Sequence, residues 1–149
     1  MAKIAVVCGS SSDQSYLDIC CEVLAQMGLQ FEKAIISAHR HPEKIRLFAT
    51  SLREKGFSAV IAMAGMAAHL PGVIASMTTL PVIGVPLPGS ALNGQDALYA
   101  IVQMPGGIPV ATVAIGNAGA KNAAYLVAQI IGLNDSDVRQ NYENYRASL

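Results

Sequence analysis

Apolar residues in this chain follow two rhythms. Short runs rich in β-branched and small apolar residues, each stopped by Gly, Pro or Ser, predict strands. They fall at 3–8 (KIAVVC), 29–36 (LQFEKAII), 59–64 (AVIAMA), 81–85 (PVIGV) and 109–115 (PVATVAI). Between them the apolar positions recur at helical spacing. Leu17, Cys20, Cys21, Leu24 and Met27 form one stripe, and Gly28 is its natural stop. Pro42 suits a first helical position, Glu43 the electropositive end of that helix, and Gly56 its close. A short helix over 70–76, another beginning over 95–102 and an Ala-rich one over 120–131 continue the alternation. The polar segment 135–149 predicts a terminal helix, whose Tyr142, Tyr145 and Leu149 make an i, i+3, i+7 stripe suited to docking on a neighbouring subunit.

Five strands alternating with helices across short loops specify the α/β class. The expected architecture is a flavodoxin-like, three-layer α/β/α sandwich with a five-stranded parallel sheet and an extra C-terminal helix. The 149 residues suit a single domain spanning 1–149, with no internal repeat, linker or low-complexity tract. Composition narrows the partners. Charged residues make up 13% and balance to zero, with no basic stripe or acidic tail, which argues against nucleic acid and anionic membrane as partners. A hydrophobic fraction of 52% and a mean hydropathy of +0.41 imply a sheet buried on both faces, an oligomer interface, or both. The apolar run 59–68 stops at His69, well short of the ~20 residues of a membrane span. The run 4–8 is too short for a signal sequence, so the expected location is cytoplasmic. Cys8, Cys20 and Cys21 are odd in number and fit neither a disulfide framework nor metal-ligand spacing; they read as small buried hydrophobes in a reducing compartment.

In doubly wound folds ligands bind where strands end at their carboxyl side. The loops expected there are 9–13, 37–41, 65–69, 86–93 and 116–119, and they are rich in Gly, Ala and Ser. Small residues let a ligand approach bare backbone N–H groups. Gly9-Ser10-Ser11-Ser12-Asp13 places hydroxyls between a strand end and a helix start, an arrangement suited to phosphate and equally to an ordinary serine N-cap. It is neither a dinucleotide fingerprint nor a Walker loop, so NAD and ATP are not indicated. Asp13 beside an anion site suits sugar hydroxyls better than phosphate. Arg40 could clamp a phosphate or carboxylate bidentately, or be a plain surface arginine. His39 and His69, expected on adjacent strand ends, could do acid/base work near neutral pH, although a lone loop histidine is commonly structural. No third ligand is placed for a histidine-based metal site. His41 precedes Pro42 at a helix start, which marks it as a capping position rather than a catalytic one.

Four stretches in register carry a resemblance: GSSSD (9–13), SAHRHP (37–42), AAHLPG (67–72) and ALNGQDALYAIVQMPGGIPVATVAIGNAGAKNAA (91–124). Together they resemble the PurE family, the 5-(carboxyamino)imidazole ribonucleotide mutases of purine biosynthesis, over about 3–134. The resemblance implies a homo-octamer with active sites at subunit junctions, no cofactor, and a functional link to an ATP-dependent carboxylating synthetase upstream. It implies that Gly9, Ser10, Ser12 and Asp13 bind the ribonucleotide, with Ser10 near phosphate and Asp13 near ribose. Arg40 would hold the phosphate, Ser37 and Ala38 shape a wall, and His39 transfer the proton. Gly65, Ala67, Ala68, His69 and Leu70 would floor the site, and the 86–93 loop would close over it. Animal-type relatives are carboxylases using free carbon dioxide and typically carry lysine at the place of Arg40; Arg40 and AAHLPG here are of the mutase kind. Three departures stand out. His41 replaces a common threonine, Met63 and Met66 replace usual glycines, and Pro88-Gly89 differs from the usual closing loop. Were position 66 to need a positive φ, methionine there would be strained. Besides the mutase, two other readings stand: a carboxylase acting on free carbon dioxide, and a catalytically silent nucleotide-binding module.

Overall fold

Alternation along β1 (Lys3–Cys8) sets up both cores of the molecule. The computed structural model describes residues 1–149. Successive strand residues point to opposite faces. Ile4, Val6 and Cys8 therefore enter one apolar cluster, and Ala5 and Val7 the other. All five of these residues are buried, as expected of a central parallel strand covered by helices on both sides.

The strands are β1, β2 (Gln30–Ile35), β3 (Phe57–Gly65), β4 (Val82–Leu87) and β5 (Ala111–Thr112), parallel throughout in the order β2-β1-β3-β4-β5. The helices are α1 (Gln14–Gln26), α2 (Pro42–Ser51), α3 (Leu70–Ala75), α4 (Gln95–Val102), α5 (Asn117–Gly132) and α6 (Ser136–Ala147). One face of the sheet packs Leu17, Cys20 and Leu24 of α1 and Ala123 and Val127 of α5. The other packs Ile45 of α2, Ile74 of α3 and Ile101 of α4. This is the expected flavodoxin-like three-layer sandwich, with α6 as the additional element.

The edges depart from the expected pattern. β2 is largely exposed, and its Gln30, Glu32 and Lys33 keep that edge polar, which discourages strand addition. The strand expected over 109–115 pairs with β4 only at Ala111 and Thr112. Pro109 on this edge and Pro86 within β4 have no N–H to give to a ladder. The chain nevertheless stays beside β4, through Val113 N–H to the Gly84 carbonyl (3.2 Å) and Gly116 N–H to the Pro86 carbonyl (2.9 Å). The turn expected over 116–119 is shorter than its glycines suggest, because α5 already begins at Asn117. A Cβ on Gly119 would collide with the Ala114 carbonyl, so this glycine serves close helix–strand packing.

At the far end, Asp135 caps α6 by accepting from the N–H groups of Asp137 and Val138, both at 3.1 Å. α6 folds back on α5 of its own chain. Tyr145 stacks on Tyr125 at 4.4 Å between centroids, and Tyr142 lies 5.9 Å from the same ring. Two members of the expected docking stripe are thus half-buried within the chain, and only Leu149, 83% exposed, is free of it. The three cysteines are buried and unpaired by disulfide. No helix is long and apolar enough to cross a membrane.

Candidate active site

The chain leaves β1 toward β2 on one side and reaches β3 on the other. This reversal opens a crevice beyond the carboxyl ends of the strands. The loops after β2, β1 and β3 are therefore neighbours, although they lie far apart in sequence. A cleft of ≈ 340 Å³ forms there. It is lined by Gly9, Ser10 and Asp13, by Ser37 to Arg40, and by Ala64 to Ala67 with His69 and Leu70.

The loop after β1 is braced by hydroxyls. Ser10 Oγ accepts from the Ser12 N–H at 3.3 Å and from the Ser12 hydroxyl at 3.0 Å, capping the 3-10 turn Ser11–Asp13 that leads into α1. A Cβ on Gly9 would meet nothing within 4 Å, so the glycine leaves open space over its own backbone. Burial raises the Asp13 carboxyl above its ordinary range, and a hydrogen bond from the Ser10 backbone opposes the shift. Beneath the loop, Cys8 Sγ donates to the Ser10 carbonyl at 3.3 Å. Burial and then the Asp13 charge push this thiol up to about 11, so it is a packed hydrophobe and not a nucleophile.

The loop after β2 is a tight turn built on Ser37. Its hydroxyl accepts from the Arg40 N–H at 3.2 Å and its carbonyl from the His41 N–H at 2.9 Å. The turn presents His39 and Arg40 at its tip, both exposed. Arg40 has no ion-pair partner, so its guanidinium is available to an anion. His41 occupies the N-cap of α2, the position its place before Pro42 marked, but makes no side-chain capping bond.

The loop after β3 turns sharply. Met66 has φ = 54°, a left-handed conformation that suits glycine, so the strain foreseen for methionine here is present. The turn brings His69 to the start of α3, where the His69 carbonyl accepts from the Val73 N–H at 2.9 Å. His39 Nε2 and His69 Nδ1 then meet at 2.8 Å, with the rings edge to face at 85° and 4.9 Å between centroids. Such a contact holds one proton between the two nitrogens, with one ring donating and the other accepting. Two imidazoles thirty positions apart in sequence are thus joined by one hydrogen bond at the cleft.

Eleven of the thirteen residues expected at the site line the cleft: the exceptions are Ser12 and Ala68. Ser12 is exposed, and its hydroxyl braces Ser10. Ala68 is 1% exposed and packs beneath the floor in the core formed with α2, α3 and α4. It alternates out of a loop whose neighbours Ala67 and His69 face the cleft. The 86–93 loop does not line the cleft. It touches the floor from behind at Gly65, where the carbonyls of Leu87 and Pro88 would lie 3.4 and 3.9 Å from a Cβ. Ala64 and Met66 are cleft residues not counted beforehand. The Ala64 position was legible only as strand, because β3 runs one residue further, to Gly65. No group of three or more His, Cys, Asp or Glu side chains converges as a metal site.

Comparison with known proteins agrees along the whole chain. The family model described as AIR carboxylase matches residues 3–149. The N5-carboxyaminoimidazole ribonucleotide mutase of Saccharolobus solfataricus is 48% identical over 149 residues, covering 100% of this chain and 93% of that protein. The mutase of the same name from Bacillus subtilis is 48% identical over 143 residues, covering 96% and 88%. The crystal structure of Treponema denticola PurE superposes with a TM-score of 0.90 at 27% identity, covering 99% of this chain and 91% of that one. With its reversal-point cleft, its paired histidines and these relatives in view, the chain belongs to the AIR carboxylase family.

Proposed function

We propose that this protein is an N5-carboxyaminoimidazole ribonucleotide mutase of purine biosynthesis, an isomerase that moves a carboxylate from an exocyclic nitrogen to a ring carbon. The observation that carries this reading is the 48% identity to mutases over the entire chain. The cleft supports it chemically. Gly9, Ser10 and the start of α1 offer N–H and hydroxyl groups to the phosphate, with Arg40 as its bidentate clamp. Asp13 accepts from ribose hydroxyls. Ser37 and Ala38 wall the base, and Gly65, Ala67 and Leu70 floor it.

The reaction needs one proton given and one taken back. The carbamate C–N bond breaks, its electron pair returns to the nitrogen, and that nitrogen takes a proton from His39. Carbon dioxide is released inside the cleft. The ring carbon attacks it, forming the new C–C bond, and the proton left on that carbon passes to a base. His39, having just lost a proton, is that base, and His69 steadies it through the 2.8 Å contact. Positioned proton transfer of this kind contributes roughly 100- to 10,000-fold. Holding carbon dioxide beside the ring carbon adds the proximity contribution.

The assembly we propose is a cytoplasmic homo-octamer, fed by an ATP-dependent carboxylating synthetase that makes the carbamate. Its support is apolar surface left open in one chain: Leu92, Tyr99 and Val102 around α4, and a ≈ 520 Å³ groove lined in part by Leu80, Ile108, Pro109 and Ile130. A second reading, carboxylation of aminoimidazole ribonucleotide by free carbon dioxide, is favoured by the description of the family model. An isomerisation assay decides between them. The purified protein is given either the carbamate ribonucleotide, or aminoimidazole ribonucleotide with bicarbonate. Rapid product from the carbamate at low bicarbonate supports the mutase. Product formed efficiently only from free carbon dioxide supports the carboxylase, and none from either supports a silent binding module.

A further inference from the structure

The two histidines of the cleft are held in different ways. His69 comes from a loop that is fixed from below. Ala68 before it is 1% exposed and packs in the core. The His69 N–H donates to the Ala67 carbonyl at 2.8 Å, and the His69 carbonyl accepts from the Val73 N–H at 2.9 Å in the first turn of α3. His39 stands at the tip of the turn after β2, without such an anchor beside it. Two hydrogen bonds close that turn, and Ser37 accepts both. Its hydroxyl takes the Arg40 N–H at 3.2 Å and its carbonyl the His41 N–H at 2.9 Å. The carbonyl bond is open to any residue. The hydroxyl bond needs a short side chain that ends in an acceptor. Both bonds join residues of one turn, so they do not depend on what a neighbouring subunit adds to the cleft.

We propose that Ser37 is a positioning residue for two side chains at once, the proton carrier His39 and the phosphate clamp Arg40. The roles of those two side chains rest on the mutase reading. Ser37 lines the wall of the cleft, but its hydroxyl oxygen is turned to its own backbone. By holding the Arg40 N–H it fixes the peptide between His39 and Arg40, and with it the directions in which both side chains leave the turn. His39 must meet His69, which the core holds still, and a hydrogen bond weakens steeply as its angle opens. Proton transfer makes the same demand, since a misplacement of about 1 Å costs on the order of 100-fold. One bond thus supports both binding and proton transfer. Its loss disturbs the two together, a pattern expected of neither His39→Asn nor Arg40→Ala.

Ser37→Ala, Ser37→Thr and Ser37→Asn, each as the intact assembly, are compared with wild type. Threonine and asparagine keep a side-chain oxygen able to accept the Arg40 N–H, and alanine does not. Steady-state kinetics on the carbamate ribonucleotide give kcat and KM, and titration calorimetry gives the affinity for aminoimidazole ribonucleotide. Ser37→Ala should lose at least about fivefold in kcat and raise KM at least about threefold. Either Ser37→Thr or Ser37→Asn should recover most of both. A crystal structure of Ser37→Ala reads the cause apart from the rates, because His39 Nε2 and His69 Nδ1 should separate beyond hydrogen-bond distance. An undisturbed His39–His69 contact overturns the proposal, as does a change confined to kcat or to KM, or no change in either. Threonine and asparagine variants both as impaired as alanine overturn it too. Should wild type itself fail to isomerise the carbamate, the mutase reading falls, while the calorimetry and the crystal structure still decide whether Ser37 sets the turn.

Discussion

At the scale of single residues, the proposed reaction divides the site into groups that bind and groups that move protons. Arg40 and His39 are adjacent in the chain and exposed on one turn, yet the proposal gives them different work. Arg40 has no partner of its own, so removing it leaves nothing buried and unpaired. Arg40→Ala should therefore raise the substrate KM by about 10- to 100-fold, the equivalent of losing ~1.5–3 kcal/mol from a charge-assisted hydrogen bond. Its melting temperature should stay within a degree or two of wild type. His39→Asn keeps a polar side chain of similar reach but cannot carry a proton. It should bind a ribonucleotide analogue with near wild-type affinity and lose turnover by about 100-fold or more. Titration calorimetry beside steady-state kinetics reads both quantities. Near-normal turnover in His39→Asn would remove the proton from this residue, and unchanged KM in Arg40→Ala would remove the phosphate from that one.

At the scale of elements, two helix starts show how much of the molecule was legible in advance. Asp135 stands before a segment whose pattern predicts a helix, and it caps α6 with bonds to Asp137 and Val138. Asp135→Ala should cost about 1 kcal/mol. His41 stands at the equivalent place before α2, its identity equally readable, and it makes no capping bond. His41→Thr should stabilise by a few tenths of a kcal/mol up to about 1. Chemical denaturation of the two variants checks both signs, and a stabilised Asp135→Ala or a destabilised His41→Thr would break the rule. Local chemistry of this kind can be read because a cap, a glycine stop or an apolar stripe acts within a few positions. Ser37 holding the Arg40 N–H is another such case. Most of the misses reach beyond that range. β5 was shortened by Pro86 on the neighbouring strand as well as by its own Pro109. Ala68 went to the core because the turn at Met66 fixes which neighbours face the cleft. The His39–His69 bond joins residues that only the strand order brings together, so the residue types could be nominated but not their 2.8 Å contact.

At the scale of the molecule, a single chain leaves an uneven surface. Sequence hydropathy asked for two buried sheet faces, an interface, or both, and the fold buries both faces of the central strands while leaving apolar residues over. Those around α4 are grouped: Leu92 is 61%, Tyr99 63% and Val102 46% exposed. The tyrosines of α6 are not part of this surplus, because Tyr142 and Tyr145 pack against Tyr125 of their own chain. A self-association surface is therefore better sought at α4 than along α6. Tyr99→Glu and Val102→Asp place charge there without touching the core, since neither side chain is among the buried residues. Buried in a contact between subunits, an unpaired carboxylate is strongly unfavourable, so each variant should shift the proposed octamer toward smaller species by sedimentation velocity at micromolar concentration. The circular dichroism spectrum should be unchanged, because the domain core is intact. Activity should fall with the octamer if neighbouring chains complete the cleft, and the cleft of one chain, which the 86–93 loop does not line, leaves room for such a contribution. An octamer that survives both substitutions would move the interface away from α4. A monomer with full isomerase activity would show that the three loops of one chain are sufficient.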